Sequence, residues 1–187
     1  MKLDRSTGLF EPAAFVASPN SDARPEGVEI DLLVVHCISL PPGEYGGDFI
    51  EHLFCNELDP AYHSYFREIC ELKVSSHFLI HRAGGITQFV PTHLRAWHAG
   101  PSRFGDRCDV NDFSIGIELE GTADTPFTDS QYDTLIGLAD ELISAYPGIE
   151  LSNVVGHSDI APGRKMDPGV CFDWQRLKHG LKQAQAD

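Results

Sequence analysis

Residues 32–35 read Leu-Leu-Val-Val with no polar interruption, and the run ends on His36. A continuous aliphatic and β-branched stretch of this length marks a buried strand, placed here at 30–36. A histidine at the end of such a strand is held rigidly while the loop beyond it opens space, and functional groups gather at such positions. His157 has the same setting, after the short strand predicted from Asn153 to Gly156.

The rest of the chain supplies further strands and their cover. Residues 1–29 contain Pro12, Pro19 and Pro25 and little periodicity, so they are expected as an extended arm laid over the domain. Ser39 to Gly47 holds two Pro and three Gly and must be a loop. Phe49, Ile50, Leu53 and Phe54 have helical spacing, which predicts a short helix over 48–57. Pro60 is suited to the first turn of another. Val74 to Ile80 reads as a strand that turns at Gly84-Gly85 and returns from Ile86 to Val90. Residues 113–119 are a further strand. Thr128 or Asp129 caps a long helix whose apolar face carries Tyr132, Leu135, Ile136, Leu138, Ala139, Leu142 and Ile143, and Pro147-Gly148 stops it. A last helix covers about 173–184. Strands and helices mix without strict alternation. The expected fold class is therefore α/β (α+β): one domain with a central mixed β-sheet flanked by helices.

Composition excludes several functions. The 187 residues carry a net charge of −14, which disfavours nucleic acid and anionic membrane as partners. No apolar run approaches the roughly 18 residues of a membrane span. The polar start, Met-Lys-Leu-Asp-Arg-Ser-Thr-Gly, has no apolar stretch behind it, so no secretory signal is expected. The cysteines Cys37, Cys55, Cys70, Cys108 and Cys171 are odd in number and scattered, with no Cys-x-x-Cys. That pattern predicts free thiols in a reducing compartment. Cys37 adjoins His36, but neighbours on a strand point to opposite faces, so it is placed on the far side.

Gly156 to Gly169 read Gly-His-Ser-Asp-Ile-Ala-Pro-Gly-Arg-Lys-Met-Asp-Pro-Gly. The loop sets His157, Lys165 and Asp167 near one another. With His36 they offer two imidazoles and one carboxylate, three zinc ligands that leave a fourth position open, as catalytic rather than structural zinc requires. There is no His-Glu-x-x-His, so the site is not that of a helical zincin. In Gly116 to Gly121, alternation puts Ile115, Ile117 and Leu119 on one face and Glu118 and Glu120 on the other. From a buried strand, two carboxylates aimed together would raise a pKa and suit a general base. From an edge strand they would be a solvated face, and both readings stand at this point. His77, mid-strand among apolar residues, is read as a satisfied core histidine. His98, in Ala96-Trp97-His98-Ala99-Gly100, is read as a substrate-wall or hydrogen-bonding residue.

These segments occur in order: Val34 to His36, Val74 to Ile80, Ala96 to Gly100, Asn111 to Gly121 and Gly156 to Gly169. Together they resemble the AmpD-type 1,6-anhydro-N-acetylmuramyl-L-alanine amidases, whose zinc amidase fold is shared with peptidoglycan recognition proteins. The resemblance covers about residues 30 to 176, and the 39–47 loop fits the same subgroup. It implies a zinc amidase catalytic domain over 30–187 with one catalytic zinc on His36, His157 and Asp167. It implies Glu118 as general acid/base, Lys165 as transition-state stabiliser and Trp97 as a residue lining the muropeptide site; His98, as a wall residue, and Tyr65, near a loop that could border the site, are expected as further substrate-binding residues. The implied substrate is a small soluble anhydro-muropeptide, cut between the muramyl lactyl group and L-alanine. The implied setting is a cytoplasmic monomer in muropeptide recycling, linked to β-lactamase regulation. Two departures bear on substrate affinity and preference rather than on the reaction. Cys37 stands where the family usually has Asn, and Asp109-Val110 where a basic residue and Cys are usual.

Overall fold

A computed structural model describes residues 1–186. In chain order the strands are β1 (Lys2–Asp4), β2 (Leu9–Glu11), β3 (Ala14–Phe15), β4 (Ser21–Ala23), β5 (Leu32–Ile38), β6 (Phe78–Ile80), β7 (Ile86–Gln88), β8 (Leu94–Ala96), β9 (Arg103–Phe104), β10 (Arg107–Cys108), β11 (Ser114–Glu120) and β12 (Val154–Gly156). The helices are α1 (Phe49–Phe54), α2 (Phe66–Ile69), α3 (Asp129–Ala145), α4 (His157–Ile160) and α5 (Trp174–Ala184).

Six strands form the central sheet in the order β12-β5-β11-β6-β7-β3. β12, β5, β11 and β6 run parallel, β7 returns antiparallel to β6, and β3 lies parallel to β7. The sheet is mixed and helices cover it, as the sequence predicts. Every residue of β11 is buried, so it is a central strand and not a solvated edge.

Strand alternation sorts the core into two sides. Leu33, Val35, Phe78, Ile80, Ile115, Ile117 and Leu119 face α3 and α5, meeting Leu135, Leu138, Leu142, Leu177 and Leu181. Cys37 packs on this side, opposite His36 as expected. On the other side, Leu79 joins Ile50, Leu53, Phe54, Phe66 and Ile69 of α1 and α2. A smaller cluster sets Leu32 and Val34 against Val110, Phe113 and Ile160. α3 opens on a complete capping box. The Thr128 side chain accepts from Gln131 N–H, and the Gln131 side chain accepts from Thr128 N–H.

Several boundaries differ from the sequence reading. Residues 1–29 are not merely extended. β1 and β2 form a hairpin, β3 is the outermost strand of the main sheet, and β4 pairs with β8. The buried Gln88 side chain ties this segment down, accepting from Phe10 N–H and donating to Gly8 and Val90 carbonyls. Pro60 begins a turn, not a helix; the next helix starts at Phe66. The strand expected over 74–80 is regular only at 78–80, because Ser75 N–H bonds to Trp97 O and leaves the ladder. β7 ends at Gln88 rather than Val90.

Candidate active site

The parallel strands β5, β11 and β12 end on one side of the sheet, where open α/β sheets place their ligands. β5 carries His36 near its end, β12 delivers the chain to His157 at the start of α4, and β11 carries Glu118. Asp167 arrives on the loop after α4, which is fastened to the helix by Ser158 N–H donating to Asp167 O at 3.0 Å.

Three ligand atoms meet there. His36 Nδ1 lies 2.9 Å from His157 Nδ1 and 3.1 Å from Asp167 Oδ2, and the third side of the triangle is 3.0 Å. His36, His157 and Asp167 are thus a group able to hold a metal ion. The chemistry of the set favours a cation. His157 Nε2 is 3.1 Å from Ala99 O, a group that only accepts, so the ring proton sits on Nε2 and Nδ1 presents a lone pair. That lone pair faces a carboxylate oxygen, a contact that is unfavourable without positive charge between them. Burial pushes His36 down to about 4 and keeps it neutral, the form that binds metal.

Glu118 is the register partner of His36 across β11 and β5. Its side chain leaves the sheet on the metal-site face, is 9 % exposed, and its Oε2 has no hydrogen-bond partner among the described residues. Burial, reinforced by the nearby Asp167 charge, raises its pKa well above the usual carboxylate value. Glu120, two residues on, has a different task. Its two oxygens accept the backbone N–H groups of Gly46 and Arg82, which fastens the 39–47 loop to the turn before β7.

A cavity of about 470 Å³ opens over this cluster. One side carries His36, Glu118, His157, Lys165 and Asp167; the other is apolar, with Leu40, Tyr65, Ile69 and Leu72 among its lining residues. The exposed Lys165 side chain stands on its rim. His98 reaches the cavity but lies mostly behind His36, with Nδ1 2.9 Å from His36 Nε2. Trp97 is not drawn in with the others. Its indole N–H is held by Asp22 at 3.2 Å and its ring is not part of the cavity wall. His77 is buried within the core: Nδ1 accepts Gly116 N–H at 3.0 Å and Nε2 lies 3.1 Å from Leu94 O. Sequence reasoning did not single out Ala99, Asn111, Ser114 or Arg164, which buttress the site from behind. Ala99 acts through its carbonyl, Ser114 through its hydroxyl, Asn111 through its amide and Arg164 through its guanidinium, and these contacts between distant segments leave no spacing pattern in a sequence.

Comparison with known proteins agrees with this geometry. A family model described as N-acetylmuramoyl-L-alanine amidase matches residues 26–170. The 1,6-anhydro-N-acetylmuramyl-L-alanine amidase AmpD of Enterobacter cloacae is 51% identical over 180 residues, covering 96% of this chain and 95% of that one. A crystal structure of a Se-Met AmpD derivative superposes with a TM-score of 0.93 at 50% identity, covering 97% of this chain and 99% of that one. The amidase AmiD from E. coli, solved with anhydro-N-acetylmuramic acid-L-Ala-D-gamma-Glu-L-Lys as substrate, gives a TM-score of 0.60 at 33% identity. That match covers 84% of this chain and 60% of AmiD.

Proposed function

The chain belongs to the N-acetylmuramoyl-L-alanine amidase family, and on that footing we propose that it is a zinc hydrolase of soluble anhydro-muropeptides in cytoplasmic cell-wall recycling. The bond cut joins the lactyl group of anhydro-N-acetylmuramic acid to the L-alanine of the stem peptide. The observation that carries this reading is the triangle of His36 Nδ1, His157 Nδ1 and Asp167 Oδ2 beside a buried carboxylate with a free oxygen.

His36, His157 and Asp167 hold the zinc. When bound, zinc supplies Lewis-acid chemistry, polarising a carbonyl oxygen and making hydroxide available near neutral pH. Glu118 supplies the proton traffic: Oε2 takes a proton from the attacking water and returns it to the departing amine. Its raised pKa makes it a stronger base than a solvated glutamate and a ready donor in the second half of the reaction. Lys165 places a cation where charge develops on the carbonyl oxygen, a contribution of the kind worth roughly 3–4 kcal/mol. Tyr65 and the apolar wall receive the sugar and the first residues of the peptide. Trp97 enters only as a peripheral contact, since Asp22 holds its indole away from the cavity.

A soluble substrate suits a cavity of this size, and among the described residues no helix is long and apolar enough to cross a membrane. All five cysteines are free, which supports a reducing compartment.

The decisive assay follows release of stem peptide from anhydro-muropeptide, with and without a chelator, beside Glu118→Ala. Release that the chelator abolishes, that zinc restores and that the variant lacks is the expected result. Well-folded, zinc-loaded protein that releases nothing would overturn the reading. Activity on intact sacculi equal to that on the soluble fragment would overturn the recycling part of it.

A further inference from the structure

Resting on the reading that zinc binds His36 through Nδ1, we infer that Ser114 and His98 are positioning residues that fix the tautomer of that ligand. A histidine that binds metal through one nitrogen normally donates from the other to a group that can only accept, and so its tautomer is settled. His157 follows the rule, with Ala99 O as acceptor. His36 does not. Its Nε2 meets another imidazole, His98 Nδ1, at 2.9 Å. An imidazole nitrogen can donate or accept, so this contact alone leaves the proton of His36 undecided.

The structure decides it one step further back. His98 Nε2 is 3.0 Å from Ser114 Oγ, and Ser114 Oγ is 2.6 Å from Val110 O. The carbonyl has no proton to give, so the serine hydroxyl donates to it. The hydroxyl lone pairs then face His98, whose Nε2 must carry the hydrogen. Neutral His98 therefore accepts at Nδ1, and the hydrogen there comes from His36 Nε2. His36 Nδ1 is left bare, pointing at His157 Nδ1 and Asp167 Oδ2. The polarity runs unbroken from a backbone carbonyl to the metal triangle through three side chains that are all buried.

The surrounding residues hold this chain in place. The His98 ring lies over Gly116, where a Cβ would come within 2.5 Å of His98 Cγ, so residue 116 has to lack a side chain for the ring to sit there. Asn111 Oδ1 accepts the backbone N–H groups of His98 and Ala99 at 3.1 and 2.8 Å. One amide thus places both the ring behind His36 and the carbonyl behind His157. Arg24, half-buried and reaching over from the N-terminal segment, donates to the carbonyls of Asn111, Asp112 and Ser114. Arg164 does the same for the other ligand, donating to Ala99 O and Pro101 O at 2.7 and 2.8 Å.

The test reads protons first and metal second. In zinc-loaded wild-type protein, long-range nitrogen–proton NMR of the histidine rings is expected to show His98 protonated on Nε2 and accepting at Nδ1 from His36. A proton on Nδ1 of His98 would overturn the inference without any variant. Ser114→Ala removes the fixed end of the chain. It is expected to mix the His98 tautomers and to weaken zinc binding about 10- to 100-fold in chelator competition, the range typical of lost support behind a metal ligand. Ser114→Thr keeps the hydroxyl and is expected to retain the wild-type tautomers. Equal zinc affinity in wild type and Ser114→Ala, with both folded, would also overturn it. Wild-type protein that takes up no zinc would overturn the metal reading itself, which a wrong His98 tautomer in zinc-loaded protein would not.

Discussion

Glu118 stands opposite His36 in the parallel pairing of β11 with β5. Neighbouring strands lie about 4.8 Å apart and paired residues leave the same face, so the backbone ladder itself sets the spacing between proton acceptor and metal ligand. The arrangement also has a cost, because burial raises the Glu118 pKa well above its usual value. A carboxyl raised in this way contributes stability below its unfolded pKa and loses it as pH climbs through the folded value. Glu118→Gln keeps the shape and cannot ionise. It is expected to lose roughly 100- to 10,000-fold in kcat, to bind zinc normally, and to be more stable than wild type at neutral pH when both are metal-free. Denaturant midpoints of the two apo-proteins across pH check this. A variant no more stable than wild type at pH 7 would show that the ionised carboxylate is not strained by its burial.

What was legible in the sequence followed from alternation and spacing. Leu32 to Val35 had to be a buried strand, and Ile115, Ile117 and Leu119 had to share a face, so Glu118 and Glu120 had to share the other. The sequence left open whether that other face met solvent. The place of β11 at the sheet centre settles it, and strand order depends on long-range pairing that no local pattern records. β8, β9 and β10 were missed because two- and three-residue strands carry no readable period. The N-terminal segment was read by its prolines, while its pairing with β7 and β8 is a tertiary fact. His98 was visible as a residue near the site, but its place behind His36 depends on a fold that brings Gly116 beneath the ring.

His77 should make the fold acid-sensitive. Burial, helped by the Arg24 charge, pushes its pKa down to about 3 from 6.5. Between those values the unfolded chain takes up a proton that the folded chain refuses, so stability falls as pH drops from about 6.5 towards 3. His77→Gln is expected to be less stable at pH 7 by about 1–3 kcal/mol through its lost hydrogen bonds. Its stability should also decline less steeply than that of wild type over the same window. Chemical denaturation at a series of pH values measures both slopes, and parallel slopes would mean that His77 is not the group taking up the proton.

The 39–47 loop should depend on Glu120. Its oxygens accept N–H groups from Gly46 and Arg82, tying the loop to the turn before β7. Hydrogen bonds to a charged group are worth about 1.5–3 kcal/mol each. Glu120→Ala is expected to destabilise the protein by at least about 2 kcal/mol and to speed amide exchange at Gly46 and Arg82. Exchange at Ile117, in the middle of β11, should slow or quicken only with global stability. Unchanged protection at Gly46 would show that the loop is held by other contacts.

The five free thiols should differ sharply in reactivity. Thiol chemistry runs through the thiolate and needs access. Cys108 is exposed on a short hairpin, whereas Cys37 is half-buried, packed against the main core and also among the residues lining the cavity. Burial, with the Glu118 and Asp167 charges adding to it, pushes the Cys37 thiol far above its ordinary value. A maleimide applied to native protein is therefore expected to label Cys108 first and Cys37 at least ~100-fold more slowly, the latter catching up only in denaturant. Peptide mass spectrometry over a time course gives both rates. Labelling of Cys37 as fast as Cys108 in the native state would show that its packing does not hold the thiol protonated and shielded.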